Sequence, residues 1–552
     1  MSIKDNTALI LLIVIMTSLV YYDSCNNSFV YDDYDFLVKN PAVRDLSPSG
    51  VAYDFAEMGA VSADRSLALD VWRPLMILSF AIDYHIWKLN PRWYHAENML
   101  LHMANAVIVY IAFLLISGDA FLSFIAAAVF AIHPVQAEAV TWVSGRSNVL
   151  FLFFFMLAFI SHVKGVRAAA LALFALALMS KEMAIVLPAV LILYDIHFAP
   201  RKPIKEYAGY YIPFLLVAAA YIIARLSVLG AIAQKSEWWA GSVAGNVFVA
   251  LKAVSEYIMM LVFPVGPRAE YASEFPLVIS GKDIISVALT LGVAAAAYTA
   301  FRRNRLASFS MLWFFVALIP VYNIVPFKAV MAGRFLYLPM IGFASLLGML
   351  LSSVKRASKG VFSSVLAVLA AAAVLIAYGA LSISRNIEWR DEMSFYTHEA
   401  ARSPDSPKAH YNLGYICAKT AAETAKSDKK LAGAYYAAAI DEFTAALALK
   451  PDSWLAYYAL GNAYNDTAQY DLAIISFKKA AAIKENSDIY NNLGVAYYRK
   501  GMYDQARGSF INALRLDSGH RNASINLGNV YYAKGDHERA RMMWSAAAGR
   551  KE

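Results

Sequence analysis

Apolar stretches long enough to cross a bilayer recur along the first two thirds of this chain, and nothing else in it constrains the fold as much. Runs such as Ala8–Val20, Leu171–Leu178 and Val361–Tyr378 are more apolar than most helices of a soluble domain could bury. A transmembrane helix needs about 17–25 mostly apolar residues. Stretches of that character lie near 7–22, 96–116, 119–133, 148–162, 166–180, 183–198, 207–228, 283–300, 307–322, 335–353 and 361–381. The composition agrees: 59% of residues are hydrophobic and 16% charged, where a soluble domain carries roughly 25% charged.

Sidedness follows from the basic residues. They cluster at Lys164/Arg167, Arg201/Lys202/Lys205, Arg302/Arg303/Arg305 and Lys355/Arg356/Lys359, and cytoplasmic loops are enriched in Lys and Arg. One further apolar run, 247–263, carries Lys252 and Glu256 at helical i, i+4 spacing. All four clusters fall on one side only if that run lies at the interface or re-enters. The expectation is then about eleven spans, a cytoplasmic N-terminus and an exported C-terminal part. The first run has Lys4 ahead of it, but Tyr21, Tyr22 and Asp23 follow it in place of a small-residue cleavage pattern. It is therefore read as an uncleaved anchor. The formal charge of +8 is explained by topology, so no nucleic-acid partner is expected. Cys25 and Cys417 are the only cysteines, too few for a disulfide framework or a Cys-based zinc site.

Near residue 400 the pattern changes to amphipathic helices. Leu-Gly pairs recur at Leu413-Gly414, Leu460-Gly461, Leu493-Gly494 and Leu527-Gly528, the last three 33 and 34 residues apart. That is the tetratricopeptide period. Ala473, Phe477 and Ala480 support one repeat, Ala506, Phe510 and Ala513 the next, and Ala540, Trp544 and Ala547 the last. The first repeat is interrupted by the polar stretch 421–430. The all-α chain thus divides into a membrane part over 1–385, a linker over 386–407 and a solenoid of about four repeats over 408–552. Solenoids present concave grooves, and Tyr457, Tyr464, Tyr490, Tyr497 and Tyr531 are expected on the first helices that line one.

Chemistry-bearing residues gather at the ends of spans. The loop after the first span reads Val30-Tyr31-Asp32-Asp33, adjacent carboxylates where a general base could reach a lipid-borne substrate. Arg73, the segment His133 to Arg146 with Glu138 inside it, Lys181-Glu182 and Arg334 all fall on the exported side of this topology. Basic residues are depleted there, so Arg73, Arg146, Lys181 and Arg334 need another reason, and fixing an anionic phosphate is one. Snorkelling or internal ion pairing is the other. His95, Asn98, His102 and Asn105 form an i, i+3, i+7, i+10 stripe, read as a buried hydrogen-bonding seam before a metal site.

In this order the motifs resemble those of the transmembrane and tetratricopeptide-repeat O-mannosyltransferases, which share the C-type membrane glycosyltransferase fold. The resemblance rests on Val30–Asp33, Arg73-Pro74-Leu75, Leu89-Asn90-Pro91 with Tyr94-His95, His133-Pro134 through Arg146, Lys181-Glu182, Tyr194-Asp195 and Arg334–Pro339. It implies inverting transfer of a mannose-like sugar from a polyprenyl monophosphate to a hydroxyl, the expected acceptors being proteins. Carried to this chain, the base is Asp33 first and Asp32 second. Arg334 is the first choice for the donor phosphate, then Arg146 and Lys181, with Arg73, His133, Glu138, Glu182, His95 and His102 as additional site residues. Monophosphate donors imply no metal and no cofactor.

The expected partners are membrane lipid, the polyprenyl-phosphate sugar, and a protein or glycan acceptor gathered by the repeats. Two competing readings are a same-fold transferase acting on lipid or polysaccharide, and a non-catalytic scaffold or transporter with exported repeats. A transporter would place its charges near mid-membrane, whereas these cluster at one surface. A bacterial inner membrane with periplasmic repeats is the expected location. An endoplasmic reticulum with luminal repeats would be topologically equivalent.

Overall fold

The computed structural model describes residues 3–56, 71–200, 203–230, 242–264, 268, 271, 281–322, 330–357 and 361–548. Residues 57–70 of the acidic loop and the basic residues Arg201, Lys202 and Lys359 lie outside them. The described residues are helical, without a strand, and form two compact units, Met1–Phe395 and Tyr396–Glu552.

The first unit is a membrane bundle. Its principal helices are α1 (Ile3–Tyr21), α2 (Pro74–Trp87), α3 (Pro91–Ser117), α4 (Ala120–Ile132), α5 (Arg146–Val163), α6 (Arg167–Ser180), α7 (Leu187–Phe198), α8 (Ile204–Leu229), α9 (Val243–Val262), α10 (Gly281–Arg303), α11 (Arg305–Leu318), α12 (Met340–Ala357) and α13 (Val361–Glu388). Among the described residues, seven helices are long and apolar enough to cross a membrane, or eight if one bent pair is a single span. Local chemistry sets their ends. Asn90 caps α3 through Arg92 N–H with Pro91 at the first helical position, and Gly118 closes it at φ +66°. One residue on, Asp119 caps α4 through the N–H groups of Phe121 and Leu122.

α4 is the centre of the bundle. Ala126, Ala127, Ala128, Val129, Phe130 and Ala131 are all fully buried, and the small side chains let α3, α12 and α13 approach closely. The chain then bends by 48° between Ala120–Ile132 and Pro134–Thr141, because Pro134 cannot continue the α-helical ladder. Short turns over Pro134–Gln136, Ala137–Thr141 and Val143–Gly145 follow, all buried.

The seam on α3 is made of hydrogen bonds. Asn98 Nδ2 donates to the carbonyls of Trp142 (3.0 Å) and Val143 (3.2 Å). His102 pairs with Tyr337 Oη at 2.7 Å and Ala131 O at 2.8 Å, and Asn105 donates to Val149 O at 2.8 Å. Polar groups inside a bundle need such partners.

The run at 247–263 is α9, and by length and composition Gly245–Val262 also passes as a span. Its last turn packs where α4 bends: His133 Nε2 donates to Leu261 O at 3.0 Å, and Tyr257 Oη accepts from Ala332 N–H at 3.2 Å. The preceding α8 ends on the same side of the bundle, with Arg225 4.0 Å from Glu182.

The second unit is a solenoid of helix pairs: α14 (Pro407–Thr424) with α15 (Lys429–Leu449), α16 (Trp454–Asp466) with α17 (Tyr470–Ile483), α18 (Ser487–Arg499) with α19 (Tyr503–Leu516), and α20 (Arg521–Ala533) with α21 (His537–Ala548). The insertion of the first repeat lengthens both of its helices, α14 and α15. In the third repeat, a Cβ on Gly494 would stand 2.6 Å from the Phe510 ring, so the helices can cross this closely only at glycine. The tyrosines expected in a groove are turned toward the packing. Tyr497 is buried, and Tyr457, Tyr464, Tyr490 and Tyr531 are half-buried against the repeat core.

Candidate active site

The loop after α1 has a small core of its own. Phe29, Phe36, Leu37 and Val43 pack on Met76, Ile77 and Phe80 of α2 and on Tyr94 of α3. Within this frame Asp33 is fully buried. Its Oδ2 accepts from Val30 N–H at 3.0 Å, and its Oδ1 accepts from Ser144 N–H at 2.7 Å and Ser144 Oγ–H at 2.6 Å. Burial pushes the Asp33 carboxyl up to about 7, against the lowering effect of the Ser144 and Val30 hydrogen bonds.

Tyr31, two residues earlier, sits at φ +56°, the left-handed region that side-chain-bearing residues rarely adopt. Its ring lies against Trp142 (5.8 Å between centroids) and Phe395 (5.6 Å). Such strain costs about 1–3 kcal/mol and persists where the surroundings enforce it. It sends two adjacent carboxylates to different places. Asp32 is half-buried, and its charge reaches Arg334.

Arg334 and Glu138 are brought together. Glu138 accepts from Arg334 Nη1 at 2.5 Å and from the Arg334 backbone N–H at 2.9 Å. A Cβ at Gly333 would stand 2.7 Å from Glu138 Oε2, so glycine lets the carboxylate in. The guanidinium lies over the Trp142 and Phe335 rings at 5.6 and 5.4 Å. Burial works against its charge, yet Glu138, Tyr31 and Asp32 hold its pKa above the ordinary value.

Lys181 is buried beside this pair, with its Nζ on Asn148 Oδ1 and between the Phe151 and Phe335 rings. Among the described residues it forms no ion pair with a carboxylate. Burial first, and then the Arg73 charge, pushes its pKa well below the ordinary lysine value. Glu182 next to it is taken by Arg73, which donates from Nη2 at 2.7 Å and Nε at 3.1 Å. Burial opposes the Glu182 charge, but Arg73 and, behind it, Arg225 and Lys181 hold its carboxyl far below the usual range.

Four sequence candidates stand apart from this cluster. Arg146 is fully buried and committed to structure: it bonds Asn98 Oδ1, Asp83 Oδ2 at 3.0 Å and Tyr94 O at 3.1 Å. Its guanidinium neutralises Asp83 and ties α2 to α3. His133 accepts Val135 N–H on Nδ1, so its Nε2 proton goes to Leu261 O. His102 is in the seam, while His95 is buried on the same face of α3. Sequence reasoning missed Ser144, Asn148, Trp142 and Arg225. Arg225 alone left a signal, as a charge within an apolar run.

An apolar groove of about 450 Å³ runs between α1, α4 and α13, lined among others by Leu12, Met16, Phe124, Ile125, Leu375 and Ile376. It reaches Val20, Ile132 and Gly379. There Asn386 donates to Val20 O at 2.8 Å and accepts from Thr141 Oγ1 at 2.6 Å, one residue from Trp142.

Comparison with known proteins bears on both units. A tetratricopeptide-repeat family model matches residues 424–488 and 491–549. A protein O-mannosyl-transferase of Caenorhabditis elegans is 27% identical over 424 residues, 74% of this chain and 59% of that protein. Human protein O-mannosyl-transferase TMTC3 is 23% identical over 521 residues, 86% of this chain and 55% of that protein. Over most of its length this chain is similar to TMTC proteins. Mouse TMTC1 is 34% identical over a shorter stretch, 145 residues, 26% of this chain and 15% of that protein. The TMTC-like chain thus spans little more than half the length of the relatives it matches most extensively. Among solved structures, MamA is 22% identical with a TM-score of 0.25, covering 31% of this chain and 88% of that one.

Proposed function

We propose that this TMTC-like chain is a membrane glycosyltransferase that moves a mannose-like sugar from a polyprenyl monophosphate to a hydroxyl of a protein, with inversion, on the exported face. The observation that carries the reading is the charge of a half-buried Asp32 reaching Arg334, with Lys181 buried beside that arginine and, among the described residues, in no ion pair with a carboxylate. Burial works against the charge of Lys181, and a phosphate monoester arriving between Lys181 and Arg334 would favour it.

In this reading Asp32 is the base and Asp33 the residue that positions it. Asp33 is consumed by Val30 and Ser144, and together with the strained Tyr31 it fixes where Asp32 stands. This reverses the order expected from the sequence. The acceptor oxygen attacks the anomeric carbon, its proton passes to the Asp32 carboxylate, and the bond to the phosphate oxygen breaks. The leaving phosphate keeps the electron pair, and its growing charge falls on Arg334 and Lys181 in a low-dielectric setting. Glu138 holds Arg334 in place, and Glu182 does the same for Arg73. The groove between α1, α4 and α13 suits the isoprenoid tail. No metal or cofactor takes part. The likeness to proteins named O-mannosyl-transferases favours a protein acceptor over the lipid or polysaccharide alternatives, and mannose over other sugars.

The test is transfer from a polyprenyl-phosphate mannose by the purified full chain. Asp32→Asn, nearly isosteric but unable to take a proton, should lower kcat by about 10²–10⁴-fold while the protein still folds. Full activity in Asp32→Asn would remove the proposed base.

A further inference from the structure

A second cavity lies at the other end of the bundle from the Arg334 cluster. Asn148, which holds Lys181, and His162 both stand on α5, about 21 Å of helix apart. The cavity occupies about 630 Å³ between the end of α5, the start of α6, the end of α7 and the start of α8. His162, Arg167, Asp195, Glu206, Tyr207 and Tyr210 are among its lining residues. Part of that lining is a closed hydrogen-bonded network. His162 Nε2 pairs with Asp195 Oδ1 at 2.9 Å and its Nδ1 with Tyr210 Oη at 2.7 Å, while Tyr211 Oη donates to Asp195 Oδ2 at 2.6 Å. Asp195 is thereby engaged on both oxygens. None of these groups enters the transfer proposed above.

Two charges in the lining are left over. Arg167 gives Nη2 protons to two backbone carbonyls, Gly209 O at 2.5 Å and Tyr210 O at 2.9 Å, and its guanidinium lies over the Tyr210 ring at 5.0 Å. Among the described residues its buried Nε has no partner, and neither Arg167 nor Glu206 forms an ion pair. An arginine held in place by carbonyls alone keeps its charge for a ligand, and the planar guanidinium matches phosphate oxygens. Glu206 is exposed in the first turn of α8. The level of the cavity is that of lipid headgroups. The apolar stretches of four helices begin or end here, Lys164 and Lys205 stand exposed next to lining residues in the chain, and tyrosines gather as they do at membrane interfaces.

We propose that this cavity binds the headgroup of a phospholipid from the leaflet on the side of the basic clusters. The phosphate sits on the donors that Arg167 has left, and an ammonium group sits beside Glu206 and the Tyr207 ring. A phosphoethanolamine headgroup carries both charges. The surroundings favour a lipid over a soluble phosphate ester. Ile192 and Ile196 on α7, and Ile212 and Leu215 on α8, are exposed next to the cavity's own helices, and acyl chains descending from a bound headgroup would cover such side chains. The site stands whether or not the chain is a transferase.

Native mass spectrometry of the full chain in detergent reads the binding of single lipids. It compares phosphatidylethanolamine with phosphatidylglycerol of the same acyl chains, which lacks the ammonium. The first should bind about tenfold more tightly. Glu206→Gln should erase that preference, and Arg167→Gln should weaken both lipids about tenfold. Glycerophosphoethanolamine, the headgroup without its chains, should compete only at about a hundredfold excess or more. Wild-type binding of phosphatidylethanolamine by Arg167→Gln overturns the site. Equal binding of the two lipids by the wild type overturns the ammonium position and the proposal with it, and competition by glycerophosphoethanolamine at equal concentration overturns the lipid as occupant. The lipid comparison and the competition need no variant to fold, and Glu206→Gln changes only an exposed side chain. None of these measurements reads transfer.

Discussion

One oxygen of Asp33 takes both hydrogen bonds that Ser144 can give, from its backbone N–H at 2.7 Å and its hydroxyl at 2.6 Å. The loop after the first membrane helix is thereby pinned to the turn that opens the helix Arg146–Val163. Every feature of the proposed chemistry depends on that pin, because it decides which of two adjacent carboxylates faces Arg334.

The pin should show in the pH dependence of stability. Burial raises the folded-state pKa of Asp33 from 3.8 to about 7. The folded protein then holds a proton that the unfolded chain has released, so this group makes stability fall as pH rises from about 4 to about 7, and adds no slope above. Asp33→Asn should flatten the Tm profile across that window. Ser144→Ala should cost about 2 kcal/mol at pH 8, where the carboxylate is ionised and needs its donors. A Ser144→Ala protein with wild-type Tm at pH 8 would show that the contact does not hold the loop.

Phosphate binding should depend on Lys181 and Arg334 in different ways. Lys181→Met removes a buried charge and should raise Tm or leave it unchanged, while weakening binding of polyprenyl phosphate about tenfold or more. Arg334→Lys keeps a charge but loses the planar fork and its stacking over Trp142, so it should be impaired as well. Isothermal titration with polyprenyl phosphate reads both. Unchanged affinity in the two variants would place the phosphate elsewhere.

Arg146 should behave as a structural residue. Arg146→Ala strands Asp83 without its cation and should cost about 3–5 kcal/mol. Arg146→Met combined with Asp83→Leu should recover much of the loss, because the buried pair leaves together and Glu97, the other carboxylate on Arg146, is exposed to water. If the double variant is as unstable as Arg146→Ala but keeps its affinity for polyprenyl phosphate, the ion pair is not the reason for its burial.

Topology gives a further expectation. A reporter fused after Glu552 should be active only outside the cytoplasm, and one inserted at Lys202 only inside. Activity of the first in the cytoplasm would overturn both the span count and the placement of the active site.

Much of this architecture is written in short-range patterns. Bilayer-length apolar runs and the Leu-Gly period are local signals, and both the bundle and the repeats follow from them. The finer assignments depend on partners far away in the chain. Arg146 looked like a phosphate ligand because its neutralising groups, Asp83 and Glu97, come from two other helices. Asp33 and Asp32 are adjacent, and only the left-handed turn at Tyr31 separates their fates; no residue type at position 31 announces that conformation. The solenoid tyrosines share a period, but which of them face inward is settled by packing between helices, as Tyr497 illustrates.

The seam on the helix Pro91–Ser117 has a mechanical meaning. Tyr94, near its start, carries the loop of Asp32 and Asp33 through the Phe29 ring, 5.6 Å away. His102, two turns later, carries the segment of Arg334 through Tyr337 at 2.7 Å. Eight residues of helix separate these two attachment points, about 12 Å. The gap between the proposed proton acceptor and the proposed phosphate anchor is thus gauged by one rigid rod, like the jaws of a caliper. A seam substitution such as His102→Leu would alter that gap without touching either jaw.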